Sequence, residues 1–530
     1  MSKEKKQTFL GATATLGLAV IVVKIIGALY KIPLNNILGD EGVTYFNASY
    51  KIYSFLLSLS TAGLPVALSK LVAESRALGK YNQSRKLLRL SLTLFTAIGA
   101  VGTAIMFFFT EELAAMMNNS LAYAPIKALS FSVVCVCMMS AFRGYTQGSE
   151  NMVPSAISQV IEAVFKLVVG LALAWYLVDA GFGLSVGAAG AIMGVTISTV
   201  LALGYMIVSH LRHRNDIPSS TDTPAPSKTL LKRLLAIGIP ITIGASGMSL
   251  ITLIDQSLIM GRLQDVLGLS EQAAAALNGQ YEFSMTLFNL PSSFIPPITM
   301  SLVPAVSAAL TRRDHQRVGK LVNTSLRLTT LLAFPAGVGL SVLAGPILIL
   351  LYPAQYDAAV AATYHLQILG IASVFVCVML LTNAILQAHG QAKIPIITMF
   401  IGGAVKVVAN YFLVGNPNIN IKGAPIGTLV CYALITVLNL VIINRTLVNR
   451  PSYAQLFLKP FLATAGMAVT AKVSYNFLSG VLGNTLGTLG AIALAVVVYG
   501  ILVLALRIIT KDDLEMLPKG DKLAKILRVR

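Results

Sequence analysis

Long apolar segments recur along the whole chain and are separated by short polar segments. Each apolar segment is close to the length, about 20 residues, with which a helix crosses the hydrocarbon core of a membrane. The alternating segments of about ten residues that are typical of a membrane β-barrel do not occur in the sequence. The pattern predicts an all-α polytopic membrane protein with fourteen transmembrane helices, at about 10–33, 43–67, 88–109, 121–142, 155–178, 186–209, 233–260, 281–304, 326–352, 360–387, 394–414, 423–444, 456–478 and 487–508.

The composition strengthens this prediction. The chain has 530 residues, of which 56% are hydrophobic and 12% are charged, and its mean hydropathy is +0.77. A soluble domain has about 25% charged residues. The first apolar segment continues past the length of a signal-peptide core and has no cleavage site of small residues, so we expect it to be retained as a helix.

Basic residues are distributed unevenly among the connecting segments. Lys and Arg are concentrated in segments 70–89, 212–233 and 312–327, each of which follows an even-numbered span. Three other connections contain no Lys or Arg, at 35–42, 110–120 and 178–185. Because insertion keeps basic loops in the cytoplasm, we expect both termini to be cytoplasmic. This topology, together with anionic lipids, explains the net charge of +19 without a nucleic-acid partner.

Two segments of the chain repeat each other at an offset of 232 residues. Six of the fourteen residues at 65–78 are identical to those at 297–310, including Pro65 with Pro297. A second pair, 147–169 and 389–408, also shares a proline and a lysine at similar positions. Both copies of the first pair pass from an apolar segment with proline into a basic segment. The chain is therefore predicted to contain an internal duplication.

The duplication predicts the domain organisation. An even number of spans in each repeat makes the repeats parallel, with a pseudo-two-fold axis along the membrane normal. This arrangement is typical of a transporter with a midplane site between two lobes and alternating access, although a fused channel dimer would share it. The predicted parts are a six-helix N-lobe at 1–217, a cytoplasmic linker at 218–229, a six-helix C-lobe at 230–450, two extra helices at 451–508 and a basic cytoplasmic tail at 509–530.

Charged and polar residues inside the predicted spans are candidates for a substrate site, since an intramembrane charge costs about 2.5 to 3.5 kcal/mol. Such residues open both lobes and would line a central cavity suited to phosphate and sugar hydroxyls. The main candidates are Lys24, Lys31, Asn47, Lys51, Asp255, Arg262 and Glu282, and the secondary candidates are Tyr30, Tyr45, Arg143, Glu162, Lys166 and Lys406.

Several of these residues have a structural alternative. Lys31, Arg262 and Glu282 lie near span ends and could extend to the interface. Glu162 and Lys166 are four residues apart on one predicted helix and could neutralise each other. Prolines form a separate set of candidates, for a hinge that changes during transport or for static kinks. They are Pro65, Pro291, Pro296, Pro297 and Pro304.

Signals for catalysis are weak. The five histidines lie singly or at the predicted cytoplasmic span ends, and the sequence contains no metal-ligand spacing and no Gly-rich phosphate loop. The four cysteines lie within apolar spans, so we expect no disulfide framework. We predict a protein that is not an enzyme and has no metal or other cofactor, with transport coupled to the membrane potential or to H⁺ or Na⁺.

Four segments resemble the polysaccharide-transporter branch of the multidrug/oligosaccharidyl-lipid/polysaccharide (MOP) exporter superfamily, including its sporulation and lipid II flippase members. They are KIIGALYKIPLNNILGDEG (24–42), AGLPVALSKLVAES (62–75), RGYTQGSENMVPSAISQVIE (143–162) and LIDQSLIMGRL (253–263). The resemblance implies a bacterial cell-membrane flippase that moves undecaprenyl-pyrophosphate-linked saccharide, most specifically the peptidoglycan precursor lipid II, to the outer leaflet. It implies that the two extra helices hold the lipid tail, and that membrane lipids and cell-wall synthesis proteins are partners.

The resemblance is incomplete at the expected cavity. The lipid II flippase type has a basic residue where Lys24 stands, which fits, but it has arginines where this chain has Tyr30 and Thr286, and an aspartate near Tyr45. The head group could therefore be another lipid-linked polysaccharide unit. A multidrug or small-solute antiporter is a further alternative, and a polyprenyl-sugar polymerase or ligase is an alternative of another class.

Overall fold

The computed structural model describes residues 9–61, 63–213, 220–448 and 452–508. Within these ranges the regular secondary structure is helical and no strand occurs. The same ranges contain 11 helical segments that are long and apolar enough to cross a membrane. The prediction of an all-α multi-pass membrane protein is therefore confirmed for this part of the chain. The predicted tail at 509–530 and positions 218 and 219 of the predicted linker lie outside the described residues.

The chain forms two compact units, Met1–Gly279 and Gln280–Arg530. The helices of the first unit are α1 Phe9–Thr61, α2 Leu64–Ala77, α3 Tyr81–Phe108, α4 Thr110–Met116, α5 Tyr123–Gly148, α6 Val153–Asp179, α7 Leu184–Arg212 and α8 Ser227–Gly261. Helix α9 crosses the boundary, and those that follow it are α9 Glu271–Ser292, α10 Pro296–Thr311, α11 His315–Val342, α12 Ala344–Leu351, α13 Tyr356–Ala361, α14 Thr363–Ala388, α15 Lys393–Val414, α16 Gly423–Thr446 and α17 Tyr453–Ala505.

The first unit includes α8, which packs against α1 and α2. The first compact unit therefore includes α8, which lies after most of the predicted linker. The predicted lobe boundary was based on the sequence repeat instead. The lobe boundaries stay a prediction.

Helices α1 and α17 each contain a glycine with a backbone that ordinary residues avoid. Gly39 has φ 65° and ψ −173°, and Gly483 has φ 75° and ψ 173°. This conformation is essentially restricted to glycine. Each glycine separates two helical segments, and each lies between two of the predicted spans. The sequence pattern thus located both reversals correctly.

The duplicated segment interrupts a helix in each unit. Helix α1 ends at Thr61 and α2 begins at Leu64, while α9 ends at Ser292 and α10 begins at Pro296. Pro65 and Pro297, which the repeat aligns, both stand at the second position of the new helix. Proline is favoured in the first turn because its missing amide hydrogen has no partner there in any case. The repeat therefore encodes the same helix break twice.

The two copies differ in what they contact after the break. Leu302 and Val306 of α10 are buried in an apolar core with α11 and α14. At the aligned positions of α2, Lys70 is exposed and the carboxylate of Glu74 accepts a hydrogen bond of 2.9 Å from Arg233 of α8. The aligned helix faces are charged in the first unit and apolar in the second.

Several helices begin earlier than the predicted spans. Helix α11 begins at His315, where Asp314 accepts a hydrogen bond from the amide of Arg317 at 2.9 Å. Helix α9 begins at Glu271, so the connection between the predicted spans 233–260 and 281–304 is shorter than predicted. Hydropathy marks the apolar part of a helix, whereas capping residues such as Asp314 determine where it begins.

The segment after α7 is anchored to the start of α3. The Asp222 carboxylate accepts hydrogen bonds from the backbone amides of Asn82 at 2.9 Å and Gln83 at 3.0 Å. Desolvation raises the pKa of Asp222, but hydrogen bonds from Ser220 and these amides outweigh this effect and hold the pKa below its ordinary value of 3.8. This part of the predicted linker is therefore attached to a helix terminus.

We expect Asp222→Ala to release this segment. The α3 amides lose their acceptor, so a broad-specificity protease should cut the segment at least about fivefold faster. Because the folded pKa is depressed, the contact is fully present above pH 3.8 and is lost as the pH falls through the lower folded value. Protection should therefore be constant from about pH 5 to 8. Thr223→Ala is the control in the same segment, and equal cleavage of both variants would contradict the anchoring role.

Helices α6 and α7 approach closely through glycine. A Cβ atom placed on Gly194 of α7 would lie 2.3 Å from the Gly170 Cα of α6. Small residues allow membrane helices to pack at such short distances. The same helix contains Gly204, which has no atom within 4 Å of the corresponding position.

We therefore expect Gly194→Val to destabilise the purified protein by roughly 2 kcal/mol or more. Gly204→Val introduces the same side chain into the same helix and should change the thermal unfolding midpoint little. A Gly194→Val variant that unfolds at the same temperature as the Gly204→Val control would show that α6 and α7 can separate without cost.

Candidate functional site

Polar and aromatic side chains from α1, α6 and α8 cluster within the first unit. The reversal at Gly39 folds α1 back on itself, which brings residues on either side of it into contact. We call this set of residues the polar cluster; it consists of Tyr30, Lys31, Phe46, Asn47, Tyr50, Lys51, Lys166 and Gln256.

Lys31 and Asn47 meet across this reversal. The Lys31 ammonium donates a hydrogen bond of 2.6 Å to Asn47 Oδ1, and it lies 5.2 Å from the centre of the Phe46 ring. Asn47 is buried, and its Nδ2 has no hydrogen-bond partner among the described residues. A buried amide donor without a partner is costly. The site therefore offers an ammonium and a buried amide donor side by side.

Lys51 contacts α8. Its ammonium donates to Gln256 Oε1. Gln256 is 1% exposed, and its Nε2 has no hydrogen-bond partner within the described ranges. Asp255, the neighbouring residue, is also buried. Sequence reasoning selected Lys51 and Asp255 but missed Gln256, because a glutamine in a span carries no charge to draw attention to it.

Aromatic rings form the third part of the polar cluster. The rings of Phe46 and Tyr50 stack with 5.8 Å between their centres, and Tyr30 lies 6.2 Å from Phe46. The Lys166 ammonium lies 5.0 Å from the centre of the Tyr30 ring and 4.8 Å from that of Tyr50. Aromatic faces attract a cation without neutralising it. Phe46 was missed, although its spacing of four residues from Tyr50 places both on one helix face.

The expected pair of Glu162 with Lys166 does not form in the described part of the chain. Glu162 instead pairs with Arg143 of α5 at 3.1 Å, and the Arg143 Nε donates to Ser158 at 2.9 Å. The long, planar guanidinium reaches the carboxylate from the neighbouring helix and leaves Lys166 on the aromatic rings. The prediction of a pair within α6 was therefore wrong, and Arg143 and Glu162 form a contact between helices.

The first unit contains three further candidates. Lys24 lies in α1, and its side chain is outside the described residues. The Tyr45 hydroxyl donates to Glu41 at 3.4 Å. Arg262 begins a π-helical turn, Arg262–Val266, that ends α8.

The second unit contains the remaining candidates. Glu282 is buried, and its backbone carbonyl accepts a hydrogen bond of 3.1 Å from Thr286, where the resemblance had implied an arginine. Lys406 is half-buried on α15. Pro291 and Pro304 lie inside α9 and α10, and Pro296 begins α10. The prolines therefore surround the break between α9 and α10.

An apolar groove of about 480 Å³ lies between α9, α11 and α17 in the second unit. Its walls carry aliphatic and aromatic side chains, and Tyr499 contributes a hydroxyl that donates to the Leu331 carbonyl at 2.9 Å. We call this feature the apolar groove. Residues that define it include Pro291, Leu340, Ile347, Met467, Ile492 and Tyr499. Both halves of α17, the predicted extra helices, contribute to its wall.

Comparison with known proteins identifies a family and several relatives. The sequence profile of a family described as "Polysaccharide biosynthesis protein" matches residues 10–310, and the MatE profile matches residues 240–412. Stage V sporulation protein B of Bacillus subtilis (strain 168) is 26% identical over 523 residues, which cover 97% of this chain and 98% of that protein. The lipid II flippase MurJ of the same organism is 24% identical over 429 residues, covering 76% and 77% of the two chains.

A solved structure shows the same fold. It is described as lipid II flippase MurJ in an inward closed conformation, and it matches with a TM-score of 0.71 at 15% identity. The match covers 92% of this chain and 97% of the other. With a family profile that matches residues 10–310, more than half of the sequence, the chain belongs to the polysaccharide biosynthesis protein family.

Proposed function

We propose that this protein is a flippase that moves an undecaprenyl-pyrophosphate-linked saccharide, most specifically lipid II, from the inner to the outer leaflet by alternating access. The relative named as a lipid II flippase, which matches 76% of this chain, supports the proposal. The observation that carries it is the polar cluster, in which Lys31, Lys51 and Lys166 contact amides and aromatic rings.

The chemistry of the polar cluster suits such a head group. A pyrophosphate requires cationic donors, and charge-assisted hydrogen bonds to phosphate are among the strong ones. The amides of Asn47 and Gln256 hold the ammonium groups in place, and their buried NH₂ groups are further donors for phosphate or sugar oxygens. The rings of Tyr30 and Tyr50 hold the Lys166 ammonium at 5.0 and 4.8 Å from their centres.

The substrate also has a long apolar tail. The apolar groove of about 480 Å³ beside α17 supports a role in holding this tail, since hydrocarbon binds favourably to apolar walls. A small-solute antiporter has no need of such a groove. The combination of a cationic cluster and an apolar groove therefore favours an amphipathic anion as the substrate.

The proposed cycle uses fourteen membrane crossings with both termini in the cytoplasm. The count follows when α1 and α17 are each divided at their glycine and α8 is included. The N-lobe and C-lobe would rock with the helix breaks before Pro65 and Pro297 as corresponding hinges. The membrane potential or a gradient of H⁺ or Na⁺ would reset the transporter.

A different lipid-linked polysaccharide unit is the second candidate substrate. Two observations favour it: Tyr30 and Thr286 replace the arginines of the lipid II flippase type, and the match to stage V sporulation protein B covers more of this chain. The shared chemistry is a polyprenyl pyrophosphate, and only the saccharide differs.

Complementation of a bacterium depleted of its lipid II flippase tests the substrate. Growth on expression of this protein would support lipid II. Failure to grow, together with flipping of another polyprenyl-linked saccharide in reconstituted vesicles, would replace lipid II by that substrate. Flipping of neither lipid, or release of a chemically altered lipid, would overturn the proposal.

A further inference from the structure

A small basic pocket lies in the second unit. It has a volume of about 150 Å³ and is formed by α11, the start of α17 and the residues that follow α17. Pockets that enclose a drug-sized ligand have roughly 300 to 1,000 Å³, so this one suits a single small group. Its residues are Asn323, Arg327, Ser452, Leu456, Lys459, Arg507 and Ile508. We call it the basic pocket.

Three cations and no carboxylate line the basic pocket among the described residues. Arg327, Lys459 and Arg507 come from three segments that are far apart in sequence. Three cations that line one small cavity offer charge-assisted hydrogen bonds to an anion. A phosphate group, which accepts several charge-assisted hydrogen bonds, has the required size and charge.

Arg507 adopts a backbone conformation that is unfavourable for arginine. Its φ is 49°, in the left-handed region. The amide of the next residue, Ile508, donates to the Val503 carbonyl at 3.1 Å, which is the pattern of a helix C-terminal motif that usually has glycine at this position. Arg507 occupies this position at a conformational cost, and its side chain lines the basic pocket.

The floor of the basic pocket is apolar and well packed. Ile508 is buried with Leu331, Ala463 and Val503, and the Leu456 carbonyl accepts a hydrogen bond of 3.0 Å from Thr330. The side chains of Arg327, Lys459 and Arg507 therefore extend from well-packed segments. This arrangement can select a ligand by position as well as by charge.

A neutral acceptor accompanies the cations. Asn323 Oδ1 is buried and has no hydrogen-bond partner within the described ranges. A carbonyl oxygen suits a hydroxyl donor and cannot bind a phosphate oxygen. A ligand that carries a hydroxyl group beside its phosphate would satisfy both features.

The surroundings are those of a membrane interface. The neighbouring surface of α17 exposes the apolar side chains of Leu458, Phe461, Leu462 and Leu504. The basic pocket lies at the helix ends that the charge distribution predicts to be cytoplasmic. Basic pockets between helices on this side are typical sites for phospholipid head groups.

We propose that the basic pocket binds the head group of an anionic glycerophospholipid of the inner leaflet, with phosphatidylglycerol as the best match. Its phosphate binds Arg327, Lys459 and Arg507, its glycerol hydroxyl donates to Asn323, and its acyl chains lie on the exposed side chains of α17. The site is independent of the substrate proposed above.

Titration of the purified full-length protein with dioctanoyl phosphatidylglycerol tests the proposal through the thermal unfolding midpoint. We expect the midpoint to rise, and the apparent affinity to fall more than about tenfold in the combined Arg327→Gln, Lys459→Gln, Arg507→Gln variant. The matched control removes two arginines and one lysine that are exposed outside the pocket, as Arg312→Gln, Arg317→Gln and Lys320→Gln. It should keep the affinity within about twofold.

Two further measurements separate the alternatives. Dioctanoyl phosphatidylcholine, which lacks net charge, should stabilise at least about tenfold less effectively, and inorganic phosphate should not reproduce the full effect. Equal stabilisation by inorganic phosphate would replace the lipid by a free anion, and equal effects in the two triple variants would overturn the site.

Arg507→Gly gives a test that does not depend on damage to the fold. Glycine relieves the left-handed backbone, so we expect a higher unfolding midpoint without lipid together with a weaker response to phosphatidylglycerol. A variant with an unchanged lipid response would show that the Arg507 side chain does not bind the head group.

Discussion

Replacement of Lys51 by alanine should slow the flipping of labelled lipid II in reconstituted vesicles by about 10- to 100-fold. A charge-assisted hydrogen bond contributes about 1.5 to 3 kcal/mol, and each 1.4 kcal/mol corresponds to a factor of ten. Lys51 contacts buried Gln256 within the polar cluster, so its ammonium is held in a defined position. Lys24→Ala should have a similar effect, since the resemblance places a basic residue of the substrate site there.

Lys127→Ala is the matched control for this prediction. Lys127 also contacts aromatic residues, with its ammonium 3.0 Å from the Tyr123 hydroxyl and 5.2 Å from the centre of the Phe107 ring. It lies outside the polar cluster, so its loss should leave the rate within about twofold. Wild-type rates in both Lys24→Ala and Lys51→Ala would rule out the proposed role of these lysines.

A double variant distinguishes loss of charge from loss of structure. Lys51→Ala leaves the buried Gln256 carbonyl without its donor, which by itself destabilises the site. Lys51→Ala combined with Gln256→Leu removes both partners. If the ammonium binds the head group, flipping stays slow in the double variant; recovery of flipping would show that Lys51 only satisfies Gln256.

Gly339→Trp should block the apolar groove. A Cβ atom at Gly339 would have Met467 Cε at 3.8 Å as its nearest neighbour, so the backbone accepts a side chain that then fills the groove. If the tail loses about 60 Å² of apolar contact at about 25 cal/mol/Å², its binding weakens by about 1.5 kcal/mol. We expect flipping of the full-length lipid to slow by about tenfold or more, measured in the same vesicles.

The control for the groove is Gly500→Trp. Gly500 lies in α17 next to Tyr499 of the groove, but no atom lies within 4 Å of its Cβ position. This variant carries the same bulky residue on the same helix and should flip lipid at the wild-type rate. A substrate analogue with a short prenyl chain should be less sensitive to Gly339→Trp. Equal rates for Gly339→Trp and Gly500→Trp would exclude the groove as the tail site.

Much of the fold could be predicted because its signals are local. Span length and hydropathy located the helices, and a proline that recurs at an offset of 232 residues located a helix break in each unit. The reversals at Gly39 and Gly483 fell between predicted spans because a polar turn must interrupt an apolar helix at the membrane surface. Helix starts were predicted less well, since caps such as Asp314 lie outside the apolar segment.

The cations of the candidate site could be predicted from the sequence, but the residues that they contact could not. Intramembrane lysines are conspicuous because they are costly, so Lys31, Lys51 and Lys166 could be selected from sequence. Their contacts with Asn47, Gln256 and the aromatic rings depend on how three helices cross. The error at Glu162 has the same origin: spacing on one helix suggested Lys166, whereas Arg143 on a neighbouring helix lies closer.

The sequence by itself determined the helical class, the duplication and the residues whose charge is expensive in a membrane, because periodicity, length and charge are properties of short segments. Only the tertiary structure decided that Lys51 meets a glutamine 205 residues away and that Arg327, Lys459 and Arg507 share one pocket. Contacts between distant segments follow from the bends at glycines and prolines and from how closely small residues let helices approach. These packing distances are set by the whole bundle and leave no signature in any single segment.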